Sequence, residues 1–246
     1  VTRDLLSTTE PSSKTKFNLK SNVIAEINTI ADSDLPRYLV HRYRYEIFPQ
    51  TKTIDNFPPY LQIEPTSICN YRCVFCFETD KTFTNKKNGY MGQMKLDLFK
   101  KIIDQAENNI EFLSIASRGE PLVCKEIVPM FKYTEGKFLN LKLNTNASLL
   151  NENSCHAILS GGVKTGVFSA DAADAKLYSK LRVNGDLNKV LKNKLEIKNT
   201  KENETKTKRI DGFNINETYL QQAKQMDRYI TTGEKGNLCT YDESVL

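Results

Sequence analysis

The stretch Tyr60-Leu61-Gln62-Ile63-Glu64-Pro65-Thr66-Ser67-Ile68-Cys69-Asn70-Tyr71-Arg72-Cys73-Val74-Phe75-Cys76 decides how the rest of the chain is read. It opens with a short apolar run that predicts a strand over 60–64. It then enters a loop of turn-forming residues (Pro65, Thr66, Ser67, Asn70) in which three of the chain's six cysteines fall. Thiolates gathered on one loop are soft ligands for iron–sulfur clusters or zinc. The count is informative, because three thiolates leave one iron of a four-iron cluster without a protein ligand. An open iron can bind and reduce a small molecule.

Other readings of the cysteines are weaker. Positions 69, 73 and 76 are also spaced i, i+4, i+7, as on one helix face, but Pro65, Thr66, Ser67 and Asn70 read as loop. A structural zinc centre takes four ligands, generally in two spaced pairs. Here Cys124, Cys155 and Cys239 stand alone, and His41 and His156 lie in unrelated surroundings. A long chain without regular cysteine spacing does not read as a disulfide framework.

The 246 residues carry a net charge of +5 and are 39% hydrophobic, with a mean hydropathy of −0.50. One large soluble domain with extensions is expected. No apolar run approaches the roughly 20 residues of a membrane helix, so no membrane partner is expected. A thiolate cluster persists in a reducing compartment, which points to the cytoplasm. The run from Lys198 to Arg209 mixes Lys, Glu and Thr without interleaved aromatics, as a solvated face does. Nucleic acid is therefore not favoured as a partner, although the basic balance permits it. The first residue is Val1 rather than Met, so the natural start is expected elsewhere.

Residues 1–57 read as an N-terminal helical extension with a polar start, a helix over 22–30 and a second over 35–48 stopped by Pro49. Residues 58–232 form the core. Strands are expected at 60–64, 111–117, 138–144 and 164–170, with a further one at 206–214. Helices are expected at 95–108, 125–136, 151–160, 174–195 and 216–230. Strand and helix in alternation predict an α/β fold with a parallel sheet and right-handed crossovers. Residues 233–246 carry no strand pattern and read as the start of a truncated or missing C-terminal region.

The C-x3-C-x2-C spacing, with Phe75 before the last cysteine, resembles the signature of radical S-adenosylmethionine (SAM) enzymes. The resemblance implies a partial (β/α)6 TIM-like barrel and a [4Fe-4S] cluster on Cys69, Cys73 and Cys76. It further implies that the open iron chelates the amino and carboxylate groups of SAM. An electron, from a donor such as flavodoxin or ferredoxin, would then cleave the sulfonium. The released 5′-deoxyadenosyl radical would abstract hydrogen from substrate.

Strand ends are where barrel enzymes keep working residues. Ser117-Arg118-Gly119-Glu120-Pro121-Leu122 resembles the family's Gly-Gly-Glu-Pro motif, which makes Gly119, Glu120 and Pro121 cofactor-binding candidates facing the methionine amino group. Arg118 stands where the family has its first glycine. Leu143-Asn144-Thr145-Asn146-Ala147 resembles the Thr-Asn-Gly segment that contacts the ribose, which nominates Asn144 and Asn146. The same residue types also cap helices. Phe168-Ser169-Ala170-Asp171, followed by Tyr178 and Arg182, resembles the Ser-x-Asp-Gly and Tyr-x-x-x-Arg pattern of the branch bearing a SPASM domain. By that resemblance Ser169 and Arg182 meet the cofactor's carboxylate, and Asp171 lies near substrate or ribose. The alternative is that Asp171 or Asp174 merely caps the helix. Phe75 is expected beside adenine. Tyr71 and Phe77 are read as loop packing, and Cys124 and Cys155 as small buried hydrophobes. The implied substrate is a peptide, a protein or a carbohydrate-type molecule. The alternatives are an RNA-modifying member of the family and a non-catalytic metal-binding module. Only Cys239 lies where the SPASM branch binds auxiliary clusters, which is too little for one.

Overall fold

A computed structural model of the protein describes residues 17–28, 30–116 and 118–193. Helices α1 (Ser21–Ile27) and α2 (Leu35–Thr51) lead into strand β1 (Tyr60–Ile63). The cysteine loop follows, with the two-residue strand β2 (Arg72–Cys73) and the single-turn helix α3 (Lys81–Thr84). Next come α4 (Leu96–Ala106), β3 (Phe112–Ile115), α5 (Ile127–Tyr133), β4 (Asn140–Thr145), α6 (Glu152–Ser160) and β5 (Val163–Phe168). Helix α7 (Ala175–Leu181) runs directly into the two-residue strand β6 (Arg182–Val183).

Strands β1, β3, β4 and β5 form one parallel sheet in that order, with Ile63, Ile115 and Leu143 in register across it. Each new strand is added to the same edge. The sheet has no point at which strand order reverses, which separates it from a doubly wound fold and suits a partial barrel. Its outer face carries Leu113, Ile115, Leu141 and Leu143, buried against Phe99 and Ile103 of α4, Met130 and Phe131 of α5, and Ile158 of α6. Helix α4 shows why these segments are helical. Leu96, Phe99, Ile103 and Ala106 recur at helical spacing, and Asn108, at φ 65°, turns the chain away beyond its end. Each fully buried side chain of this kind contributes about 1.5–3 kcal/mol.

At the amino end of the sheet α2 lies across the strands. His41 stacks on Phe112 at 4.0 Å and 7°. Arg37 grips Glu111 through two hydrogen bonds, of 3.0 and 2.6 Å. Arg44 binds Asp55 at 2.6 Å and the carbonyls of Phe57 and Asn109 at 2.9 and 3.2 Å. No described helix is long and apolar enough to cross a membrane.

Strands β1, β3, β4 and β5 and helices α4 to α6 lie within three residues of their expected bounds. Two expectations are corrected. Helix α2 does not stop at Pro49 but continues to Thr51, since a proline in the last turn removes only one backbone donor. The helix ends on Lys52 at φ 54°, whose N–H returns to the Pro49 carbonyl while that of Thr53 returns to Phe48. The helix expected over 174–195 is broken. Arg182–Val183 leave it to pair antiparallel with Arg72–Cys73, Asn184 takes φ 72°, and helix resumes over 187–193. The strand at 206–214, the helix at 216–230 and the segment 233–246 lie outside the described residues.

Candidate active site

The carboxyl ends of the strands surround a cavity of about 240 Å³. Cys69, Cys73 and Cys76 all line it, together with Phe75, Gly119, Glu120, Asn144, Asn146, Ser169 and Arg182. The cysteine loop is held by its own polar residues. Thr66 and Ser67 hydroxyls donate to the Gly92 and Tyr90 carbonyls, and the guanidinium of Arg72 donates to the carbonyls of Cys69 and Tyr71 at 2.8 and 2.6 Å. Asn70 reaches across to the end of β4. Its amide donates to Ser148 Oγ at 2.8 Å, and its carbonyl accepts from Asn146 Nδ2 at 2.9 Å. Burial pushes the Cys69 thiol up to about 11, against the pull of the Tyr71 N–H on its sulfur. Burial also raises Cys73, opposed by the Arg182 guanidinium.

Gly119 is pressed against this loop. A Cβ there would meet the Thr66 carbonyl oxygen at 2.2 Å and the backbone of Ile68 at 2.7 Å, so the position admits only glycine. The next N–H, of Glu120, donates to the Ile68 carbonyl at 3.0 Å. The Glu120 side chain is buried and accepts from Thr145 Oγ1 and the Asn146 N–H, both at 2.6 Å, and from the Leu122 N–H at 3.2 Å. Burial raises its pKa despite these donors. Glu120 thus ties the end of β3 to the end of β4. The Arg118 guanidinium closes a fork on Glu64 at 2.9 and 2.6 Å and lies 5.3 Å from the Phe83 ring.

Arg182 arrives from the far side through the β2–β6 pairing, which sets it opposite Cys73. Its guanidinium donates to Cys73 Sγ at 3.6 Å, lies 5.6 Å from the centre of the Phe75 ring and pairs with Asp171. Its Nε is buried without a partner, as is Asn144 Oδ1.

A family model, that of the radical SAM superfamily, matches residues 63–223. The chain belongs to the radical SAM superfamily. Curated relatives of this radical SAM protein include a tungsten-containing aldehyde ferredoxin oxidoreductase cofactor-modifying protein of Pyrococcus furiosus. That protein is 32% identical over 114 residues, which are 46% of this chain and 30% of the relative. A GTP 3′,8-cyclase of Saccharophagus degradans is 29% identical over 145 residues, 56% of this chain and 42% of the relative. The chain thus spans less than half the length of these relatives. Among solved structures, Streptococcus suis SuiB bound to precursor peptide SuiA aligns with a TM-score of 0.49 at 19% identity, covering 81% of this chain and 40% of that one.

Most of the residues nominated as the radical SAM site come together. Pro121 does not reach the cavity and instead starts a buried 3-10 turn after Glu120. Asp171 sits behind Arg182 as its ion partner, while Asp174 takes the helix cap by accepting from the Leu177 N–H at 2.8 Å. Helix α6 is likewise capped by Asn151, which leaves Asn146 to the network with Asn70. Tyr71, Arg118 and Thr145 line the cavity and were not singled out as site residues. For Tyr71, its place between two cysteines was the available signal. Phe77 packs edge-on against Phe83 at 5.0 Å, and Cys124 and Cys155 are buried in the core.

Membership in the family implies a [4Fe-4S] cluster and SAM. The donor set fits them. Three thiols line one cavity, and Gly119 lines it beside them. Buried Arg182 Nε and Asn144 Oδ1 offer a donor and an acceptor for a polar ligand.

Proposed function

We propose that the protein is a SPASM-like radical SAM enzyme that cleaves SAM reductively and removes a hydrogen atom from a carbon of a peptide, protein or carbohydrate-type substrate. The reading is carried by one observation: three thiols, Gly119, Ser169 and Arg182 all line the same cavity. When bound and reduced, the cluster on Cys69, Cys73 and Cys76 supplies the electron that breaks the sulfonium bond.

The chain's own groups hold and orient. Arg182, with Ser169, offers charge and hydrogen bonds to the cofactor's carboxylate. Gly119 admits the methionine moiety close to the backbone of its turn, and Glu120 holds that turn against β4. Asn144 and Asn146 face the ribose hydroxyls, and Phe75, 60% exposed at the mouth, covers adenine. The Tyr71 N–H at Cys69 Sγ and the Arg182 guanidinium at Cys73 Sγ would stabilise these sulfurs as thiolate ligands of the cluster. A flavodoxin- or ferredoxin-type protein delivers the electron, in the cytoplasm.

Anaerobic reconstitution tests this. The protein is expected to take up iron and sulfide, show cluster absorbance and release 5′-deoxyadenosine from SAM under dithionite. Cys73→Ala is expected to lose the cluster absorbance and the 5′-deoxyadenosine release. Zinc without sulfide, or a Cys73→Ala protein that keeps both properties, refutes the assignment.

A further inference from the structure

A second cavity, also of about 240 Å³, lies in the amino half of the sheet beneath α2. Side chains alternate faces along a strand, so Asn140, Lys142 and Asn144 of β4 share the inner face. Asn140 and Lys142 line this lower cavity, whereas Asn144 lines the thiol cavity. Two residues of strand advance about 7 Å, so the two cavities follow one another along the inner face of β4.

Lys142 is half-buried there, beside Ser114 and Thr165 in register, neither of them anionic. None of the ion pairs among the described residues includes it, although its neighbours in the wall are engaged. Arg42 binds Glu46 at 2.5 Å, Glu26 accepts from the Tyr38 hydroxyl, and His41 is stacked on Phe112. Arg42 Nε and Asn140 Oδ1 are buried in the same wall without a partner. Lys142 thus brings an ammonium without an ion pair among the described residues into a half-open cavity, where the one carboxylate of the lining, Glu26, is engaged by the Tyr38 hydroxyl. The volume is below the roughly 300–1,000 Å³ of a whole ligand pocket and suits one end of a molecule.

Resting on the SAM-cleaving reading, we infer that the lower cavity is the inner end of the substrate site and that Lys142 binds an anionic group, carboxylate or phosphate, of the substrate. The opposite end of the substrate then extends toward the thiols.

Calorimetric titration of the full chain with inorganic phosphate and, separately, with acetate distinguishes the two anion chemistries. The wild type is expected to bind one of them about tenfold or more tightly than Lys142→Gln does, the loss of a charge-assisted contact. Lys142→Arg keeps the charge and is expected to retain binding within about threefold. Lys142→Gln should keep wild-type SAM affinity, because Lys142 does not line the thiol cavity. Equal anion binding by wild type and Lys142→Gln, or none by either, overturns the inference. If the wild type fails to bind SAM, the functional reading fails instead, and the anion titration, which needs no SAM, still decides the role of Lys142.

Discussion

The two ends of the same four strands are built on opposite principles. At the carboxyl end, bare backbone, thiols and short polar side chains are held by hydrogen bonds that cross from loop to loop, as Glu120 to Asn146 and Asn70 to Ser148. At the amino end a long helix seals the strands with ring stacking and forked ion pairs, as His41 on Phe112 and Arg37 on Glu111. The first arrangement leaves surface for the cofactor, and the second removes surface from water around the lower cavity. Chemistry is therefore expected to fail first at one end and stability at the other.

The sharpest way to break this contrast is Gly119→Ala. With the Thr66 oxygen 2.2 Å from the new Cβ, neither backbone segment can yield without moving the cysteine loop. Loss of measurable SAM binding in a titration is expected, with about 1–3 kcal/mol of destabilisation by denaturant. Retained SAM affinity would show that the loop is not held by this approach.

At the other end, His41 should act on stability and leave SAM affinity unchanged. Burial and the nearby Arg42 lower its pKa from 6.5 to about 4, against the bond to the Pro59 carbonyl. Below pH 6.5 the unfolded chain takes up a proton that the folded chain refuses, so stability falls as pH drops toward 4. The fall amounts to about 3 kcal/mol at most, and the contribution is flat above pH 6.5. His41→Phe keeps the stacking and should abolish this difference in unfolding midpoints between pH 7 and 5, with SAM binding unchanged.

A matched pair sharpens the contrast further. Arg118 forks on Glu64 at the carboxyl end and Arg37 on Glu111 at the amino end, and both arginines are partly exposed. Each change to alanine should cost less than about 1 kcal/mol in denaturant unfolding. Only Arg118→Ala should alter SAM affinity, because only Arg118 lines the thiol cavity.

Local patterns account for what could be read before the structure. The thiol loop follows β1 because an apolar run gives way to turn formers, and Gly119-Glu120 was legible by its place after the second large strand. The pairing of β2 with β6 was not. Two residues are too few to show alternation, and the helical spacing from Ala175 through Leu181 runs smoothly into Arg182. The bend there is dictated by a partner more than a hundred residues away. Asn146 was likewise ambiguous, because Asn serves caps and tertiary networks alike, and only the capping box at Asn151 frees it. The polar inner face of β4 was hidden because an amphipathic strand with one polar face ordinarily faces water.

The strap that Arg182 lays over Cys73 spans 109 residues of chain. On a ribosome adding about 5–20 residues per second, the thiols emerge roughly 5 to 20 s before the residue that covers them. Throughout that interval the thiols lack their covering guanidinium, so the loop is made before the fastening that closes over it.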